Sequence, residues 1–264
     1  MDLGLQEKVV LVTGASRGIG KAIAETFARE GSAVILNARN PQELERVVSS
    51  IRRQNDRVSG IAADLSQASE VERLAEKALA RFGAIHVLVN NVGGTNKIAT
   101  FEEATDEDWI NAFHLNVLST VRLIRAIVPV MQKQHWGRII NIASESGTQP
   151  YPVMPHYATT KAAIINLSKS LSKAYASAGI LVNSVSPAMT WTPLVEELFT
   201  AQASEQGVTL EEYRQTFIRE LRIALDRPAR PEEVATAVVY LASEAASFIT
   251  GTNMRVDGGT IASI

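Results

Sequence analysis

The 264 residues predict an α/β fold: a doubly wound parallel sheet with helices on both faces. Three observations carry that expectation. Short apolar runs rich in β-branched residues alternate with amphipathic segments along almost the whole chain. Those runs are apolar throughout rather than at every second residue, as strands covered on both faces require. A glycine-rich turn then joins the first run to the first helical period, the junction at which such sheets bind nucleotides.

Taken in order, KVVLVT (8–13), AVILNA (33–38), RVSGIA (57–62), IHVLVN (85–90), RIINIA (138–143) and ILVNSV (180–185) read as strands buried on both faces. Helical periods lie near 18–30, 41–54, 67–82, 106–134 and 157–178. Strand, helix, strand, repeated, is the pattern of a parallel sheet. Residues 189–228 break the rhythm, being helical by pattern with no strand, and read as either a packed excursion or a helical lid over a site. A last helix starts at Pro231, with Glu232 and Glu233 beside the positive end of its dipole, and MRV before DGG reads as a final strand. No linker, repeat or low-complexity tract divides the chain, so 1–264 reads as one domain.

Composition removes several functions. The net charge of −2 gives no reason to expect nucleic acid or an anionic membrane as partner. There is no cysteine, so no disulfide, thiolate metal site or thiol nucleophile. His86, His114, His135 and His156 lie far apart without ligand spacing, and no metal is expected. The start, MDLGLQEK, is acidic and poor in apolar residues, unlike a secretory signal. The stretch VLSTVRLIRAIVPVM carries Arg122 and Arg125 and reads as too short to span a bilayer. A soluble cytoplasmic protein is the expectation.

The turn after the first strand is TGASRGIG, with glycines at 14, 18 and 20. Glycine permits positive φ, lets a backbone approach a pyrophosphate, and lets helix and strand pack closely. The helix starting near Gly18 would meet phosphate charge with its N-terminus. The spacing is G-x-x-x-G-x-G, neither the dinucleotide fingerprint G-x-G-x-x-G nor a P-loop. Arg17 lies in the loop and Arg39 just beyond the second strand, after Ala38. NAD-binding folds usually carry an acid there for the ribose 2′-hydroxyl. A guanidinium instead suits a 2′-phosphate, so the expected cofactor is NADP(H). Asp64, ending the third strand, could accept from the adenine amino group, and NNVGG (90–94) would let the cofactor lie against backbone.

Tyr157 and Lys161 in HYATTK stand four residues apart at the start of a helical pattern and so share a face. Together with TGASRGIG, NNVG, the asparagine of HLNVLST, INIASESG, VNSVSPAMTWT and VDGG, in this order and with Ser144 thirteen residues before Tyr157, they give the chain its resemblance. It resembles the short-chain dehydrogenase/reductase family in its compact form, over essentially its whole length. The resemblance implies a Rossmann-like fold, a homotetramer, and a tetrad of Asn116, Ser144, Tyr157 and Lys161. Tyr157 would exchange a proton with a carbonyl or alcohol substrate, and Ser144 would bond the substrate oxygen. Lys161 would hold the nicotinamide ribose, and Asn116 would support a water path. Lys161 at about 5 Å is expected to favour the phenolate by roughly two pKa units.

By the same resemblance the cofactor would touch Gly14, Ser16, Arg17, Gly18, Ile19, Gly20, Arg39, Asp64, Leu65, Asn91, Gly93, Tyr157, Lys161, Pro187, Thr190 and Thr192. Val92 and Ala188 depart from the usual alanine and glycine of the family. Gly94, Glu145, Ser146, Tyr151, His156, Met189, Trp191 and Leu194 are candidate substrate contacts. The leading activity is reversible carbonyl reduction with NADPH. Reduction of the 3-oxo group of an acyl chain on a carrier protein is an alternative, weakened by His135 and Ala178 where basic docking residues would stand. A non-catalytic NADP(H)-binding regulator and an oligomeric scaffold with a vestigial site are others, set against by an intact tetrad and glycine loop.

Overall fold

A computed structural model describes residues 2–95 and 97–263. Seven strands form one parallel sheet in the order β3-β2-β1-β4-β5-β6-β7. They are β1 (Val9–Val12), β2 (Ala33–Ala38), β3 (Val58–Ala62), β4 (Val87–Asn90), β5 (Gly137–Ile142), β6 (Ile180–Pro187) and β7 (Asn253–Val256). The fold is the Rossmann-like doubly wound sheet that the alternation predicts. Strand order reverses between β1 and β4, so a crevice opens at their carboxyl ends.

Period-two alternation sorts the core into two layers. Val10, Val12, Val34, Leu36, Val89 and Ile140 face one way, against α1 (Gly18–Arg29), α2 (Pro41–Arg52) and α9 (Pro231–Ala242). Val9, Leu11, Ile35, Leu88 and Ile139 face the other, against α3 (Ala68–Phe82) and the helix that includes Leu123, Ile127 and Met131. Each fully buried Val or Leu of these strands contributes about 1.5–3 kcal/mol, which is why the central runs carry no polar alternation.

Where the edges lie changes one expectation. β3 is not buried on both faces: Ser59, Ile61 and Ala62 are partly covered and Gly60 is exposed, because β3 is one of the sheet's two outer strands.

The 106–134 period is one helix of 29 residues. It divides into α4 (Asp106–Phe113), a π turn (His114–Leu118) and α5 (Ser119–Gln134). Thr105 and Asp108 close its start with a capping box. By length and composition it could cross a bilayer, contrary to the sequence expectation. Its apolar stripe nevertheless packs on the sheet as a core helix.

Further on lies α6 (Pro155–Tyr175), then the predicted lid, which forms α7 (Pro193–Gln206) and α8 (Leu210–Glu220). Phe199 holds the lid together, meeting Trp191, Tyr213 and Phe217 edge-on at centroid distances of 4.9–5.7 Å. Only Thr190, bridged to Ala229, adds β character there.

Candidate active site

The site at the crevice has two parts, a cradle of backbone turns and a cluster of four side chains. The first begins at the turn after β1. Gly14 and Gly18 have φ of +63° and +56°, conformations that L side chains rarely adopt. Gly20 is required for another reason: a Cβ there would stand 2.2 Å from the Gly14 carbonyl oxygen. Arg17, exposed and in extended conformation, precedes the first turn of α1, and Ile19 lies in that turn.

Asn91, just past β4, holds this turn by donating to the Thr13 and Gly14 carbonyls at 2.9 and 3.1 Å. Thr13 returns the support, its hydroxyl accepting from the Asn91 and Val92 amides. Thr13 was not singled out in the sequence, although its place at the end of an apolar strand, before the first glycine, marks it.

Arg39 is exposed after buried Ala38, and neither Arg17 nor Arg39 has an ion-pair partner among the described residues. Ser16 donates to exposed Glu43 at 3.4 Å, placing one carboxylate at the rim of the loop. Asp64 caps the turn after β3 by accepting from the Ser66 amide, beside buried Leu65. On the opposite wall Pro187 ends β6, and Thr190 donates to the Ala188 carbonyl. Thr192 caps α7, and its methyl lies 3.1 Å from where a Gly18 Cβ would be. Lid base and glycine turn therefore meet. This backbone-lined cradle with two unpaired guanidinium groups fits a dinucleotide phosphate.

The second part is the tetrad. Asn116 sits in the π turn, a helical irregularity that reorients one residue. Its carboxamide accepts from the Gly94 amide at 2.8 Å and donates to the Gly94 carbonyl and the Thr160 hydroxyl at 3.0 and 2.9 Å. Lys161 is buried and donates to the Ile142 carbonyl at 2.9 Å. Gly93 leaves it room, since a Cβ there would stand 2.8 Å from the Lys161 Nζ. Gly147 does the same for the Ser144 turn, where a Cβ would approach the Lys161 main chain at 2.8 Å. Met154, just before α6, holds a left-handed φ of +59° with its amide bonded to the Ala99 carbonyl. Strain of about 1–2 kcal/mol is thus held three residues from Tyr157.

Electrostatics at the tetrad differ from the expectation. The Tyr157 phenol is pushed up to about 12, by burial first and then by the Glu145 carboxylate, with the Ser144 hydroxyl pulling the other way. Lys161 does not offset this. Its ammonium is 5.5 Å from the ring centroid and is bonded to the Ile142 carbonyl. Burial lowers its own pKa to about 8.

Among the candidate substrate contacts, Glu145 and Ser146 are buried beside Ser144. Tyr151 has a buried hydroxyl with no partner. His156 is buried, with Nε2 2.8 Å from the Thr95 hydroxyl and Nδ1 unpaired. Gly94, Thr95, Leu115 and His156 line a cavity of about 40 Å³, room for a water. Trp191 is taken up by the aromatic packing of the lid, Met189 bonds Ala229 through its backbone, and Leu194 is largely exposed. Val92 fills the side of the core behind the loop.

Known proteins agree with this architecture. A sequence model described as short chain dehydrogenase matches residues 8–203. An uncharacterised oxidoreductase of Bacillus subtilis, YvrD, is 41% identical over all of both chains. The 3-oxoacyl-[acyl-carrier-protein] reductase FabG of Thermotoga maritima is 34% identical, over 97% of this chain and 99% of its own. The crystal structure of L-sorbose reductase from Gluconobacter frateurii, complexed with NADPH and L-sorbose, superposes with a TM-score of 0.96, 35% identity and full coverage of both chains. The chain belongs to the short-chain dehydrogenase family of oxidoreductases.

Proposed function

We propose that the protein is an NADP(H)-dependent carbonyl reductase, reversible as an alcohol dehydrogenase, acting on a small molecule. One observation carries the reading: a neutral, half-buried tyrosine faces the Ser144 hydroxyl one helical turn from a buried lysine, beside a glycine cradle. Bound NADPH supplies the hydride. Arg17 and Arg39 grip the 2′-phosphate; Gly14, Ser16, Gly18, Ile19 and Gly20 line the pyrophosphate. Asp64 and Leu65 border the adenine, Asn91 and Gly93 the riboses, and Pro187, Thr190 and Thr192 the nicotinamide.

As a ketone gains hydride, negative charge gathers on its oxygen. Ser144 donates to that oxygen and Tyr157 transfers its proton. Lys161 holds the nicotinamide ribose, and the Ser144 hydroxyl is the group that eases loss of the tyrosine proton. Asn116 fixes the Gly93–Gly94 backbone against Lys161, with the adjacent cavity as the place for a relay water. The NADPH complex of the L-sorbose reductase neighbour supports the choice of cofactor. The FabG relative supports acyl-carrier substrates as a second reading, which His135 and Ala178 disfavour for want of charge.

The proposal includes a cytoplasmic enzyme assembled as a homotetramer, with no nucleic-acid or membrane partner. Exposed Phe101, Ile110 and Phe248 support assembly. So does the exposed face of α6 carrying Ala162, Asn166, Ser170 and Ala174. Turnover of a panel of ketones, hydroxyketones, aldehydes and 3-oxoacyl thioesters with NADPH and NADH tests the activity. Oxidation of NADPH by one or more members is expected; NADPH binding without turnover of any member would favour a regulator instead.

A further inference from the structure

The hydrogen-bonding capacity of Ser144 is fully used. Its Oγ donates to the Glu145 carboxylate at 2.7 Å and accepts from the Ser146 hydroxyl at 3.0 Å and the Ser146 amide at 3.3 Å. A hydroxyl has one proton and two acceptor sites. A carboxylate can only accept, so the bond to Glu145 consumes the one proton that a developing substrate oxygen would need. Rotating Ser146 away would free an acceptor site and leave that proton where it is.

We propose that Glu145 is a positioning residue acting through Ser144: as a carboxylate it holds the Ser144 proton, and as a carboxylic acid it releases that proton to the substrate oxygen. The inference rests on the reading of Ser144 as the hydroxyl that meets the substrate. In the released state the Ser146 hydroxyl turns away from Ser144, and one proton taken from solvent resides on Glu145 and is donated into the acceptor site so vacated on the Ser144 Oγ. The Ser144 proton turns to the carbonyl, hydride and the Tyr157 proton complete the alcohol, and Glu145 keeps its own proton throughout.

The surroundings make this exchange accessible. Glu145 is buried on the short turn after β5, and among the described residues it has no cationic partner. Tyr157 faces it from α6, Tyr151 from the following loop, and Asp257 from the segment after β7. The Lys161 ammonium, on α6 with Tyr157, is bonded to the Ile142 carbonyl. Burial, and to the smallest extent Asp257, raise the Glu145 pKa from its ordinary value, against the Ser144 bond and the local amides, which lower it. Reduction therefore gains an acid limb separate from that of the tyrosine, and the rate falls as pH rises through the Glu145 titration.

The test is the pH profile of kcat and kcat/KM for carbonyl reduction, at saturating NADPH between about pH 5 and 9. The native enzyme is expected to lose rate above the Glu145 pKa, by up to about tenfold per pH unit for a one-proton limb. Glu145→Gln presents an N–H to Ser144 at every pH, and Glu145→Leu presents no acceptor. Both are expected to lose that limb and to exceed the native kcat on its alkaline side, with the effect in kcat more than in KM. NADPH fluorescence titration verifies that each variant is folded. In the native protein an infrared band of a protonated carboxylic acid should titrate with the same limb and vanish in Glu145→Gln. Retention of the native limb in both variants would overturn the proposal while leaving the reductase reading intact. Near-native turnover in Ser144→Ala would overturn both.

Discussion

Lys161 shows what a single residue gives up for chemistry. Its folded pKa of about 8 lies below the free lysine value, so the unfolded chain binds more protons between these pH values. Stability must then rise with pH through that window, and the cost of burying the ammonium is fully present below it. Between about pH 8 and 10 the rise from this residue should be on the order of 2 kcal/mol. It should be visible in urea midpoints of the native protein and missing from Lys161→Met; parallel pH curves for the two would contradict the shift.

Arg39 is read with equal directness. Because Ala38 is buried and Arg39 exposed with no partner acid among the described residues, Ala38→Asp with Arg39→Leu should reverse or greatly reduce a preference for NADPH. The comparison is kcat/KM with each cofactor, and a native enzyme better with NADH would reject the role given to Arg17 and Arg39. The Tyr/Lys spacing and the glycines were legible in the sequence, since each follows from local geometry. The direction of the tyrosine shift was not: it depends on burial and on Glu145, a neighbour only in the folded chain.

The elements were legible to within a few residues wherever apolar period and cap agreed. β1, β2 and α1 to α3 follow from such patterns, with Asn40 and Pro41 starting α2 and Gly83 ending α3. What escaped was set by position in the sheet or by helix irregularity. RVSGIA is apolar enough for a central strand, and only the strand order shows it to be an edge. The π turn at 114–118 has no sequence period of its own, yet it carries Asn116.

The glycine turn offers a test at this scale. Gly20→Ala forces its Cβ onto the Gly14 carbonyl, so the loop must shift. It should weaken NADPH binding by about tenfold or more and cost about 1–3 kcal/mol. Gly83→Ala, with φ of +73° and no atom within 4 Å, should cost about 1–2 kcal/mol of strain without altering NADPH binding. Equal NADPH affinities for the two variants would show that the turn does not hold the cofactor.

The whole molecule gathers residues that the sequence scatters. Asn116, Ser144 and Tyr157 come from a π turn, a strand end and a helix start, and the reversal of strand order beside β1 and β4 opens the crevice that holds them. The proposed homotetramer would cover exposed apolar side chains such as Phe248, Phe101 and Ile110, and light scattering at micromolar concentration should then give a four-chain mass; a monomer would reject that assembly. The central claim is that Tyr157 passes the proton. Removing only its hydroxyl, as Tyr157→Phe, keeps the ring and its packing. Single-turnover reduction at saturating NADPH should then slow by about 10²–10⁴-fold, with NADPH affinity little changed. A near-native rate in that variant would contradict the mechanism.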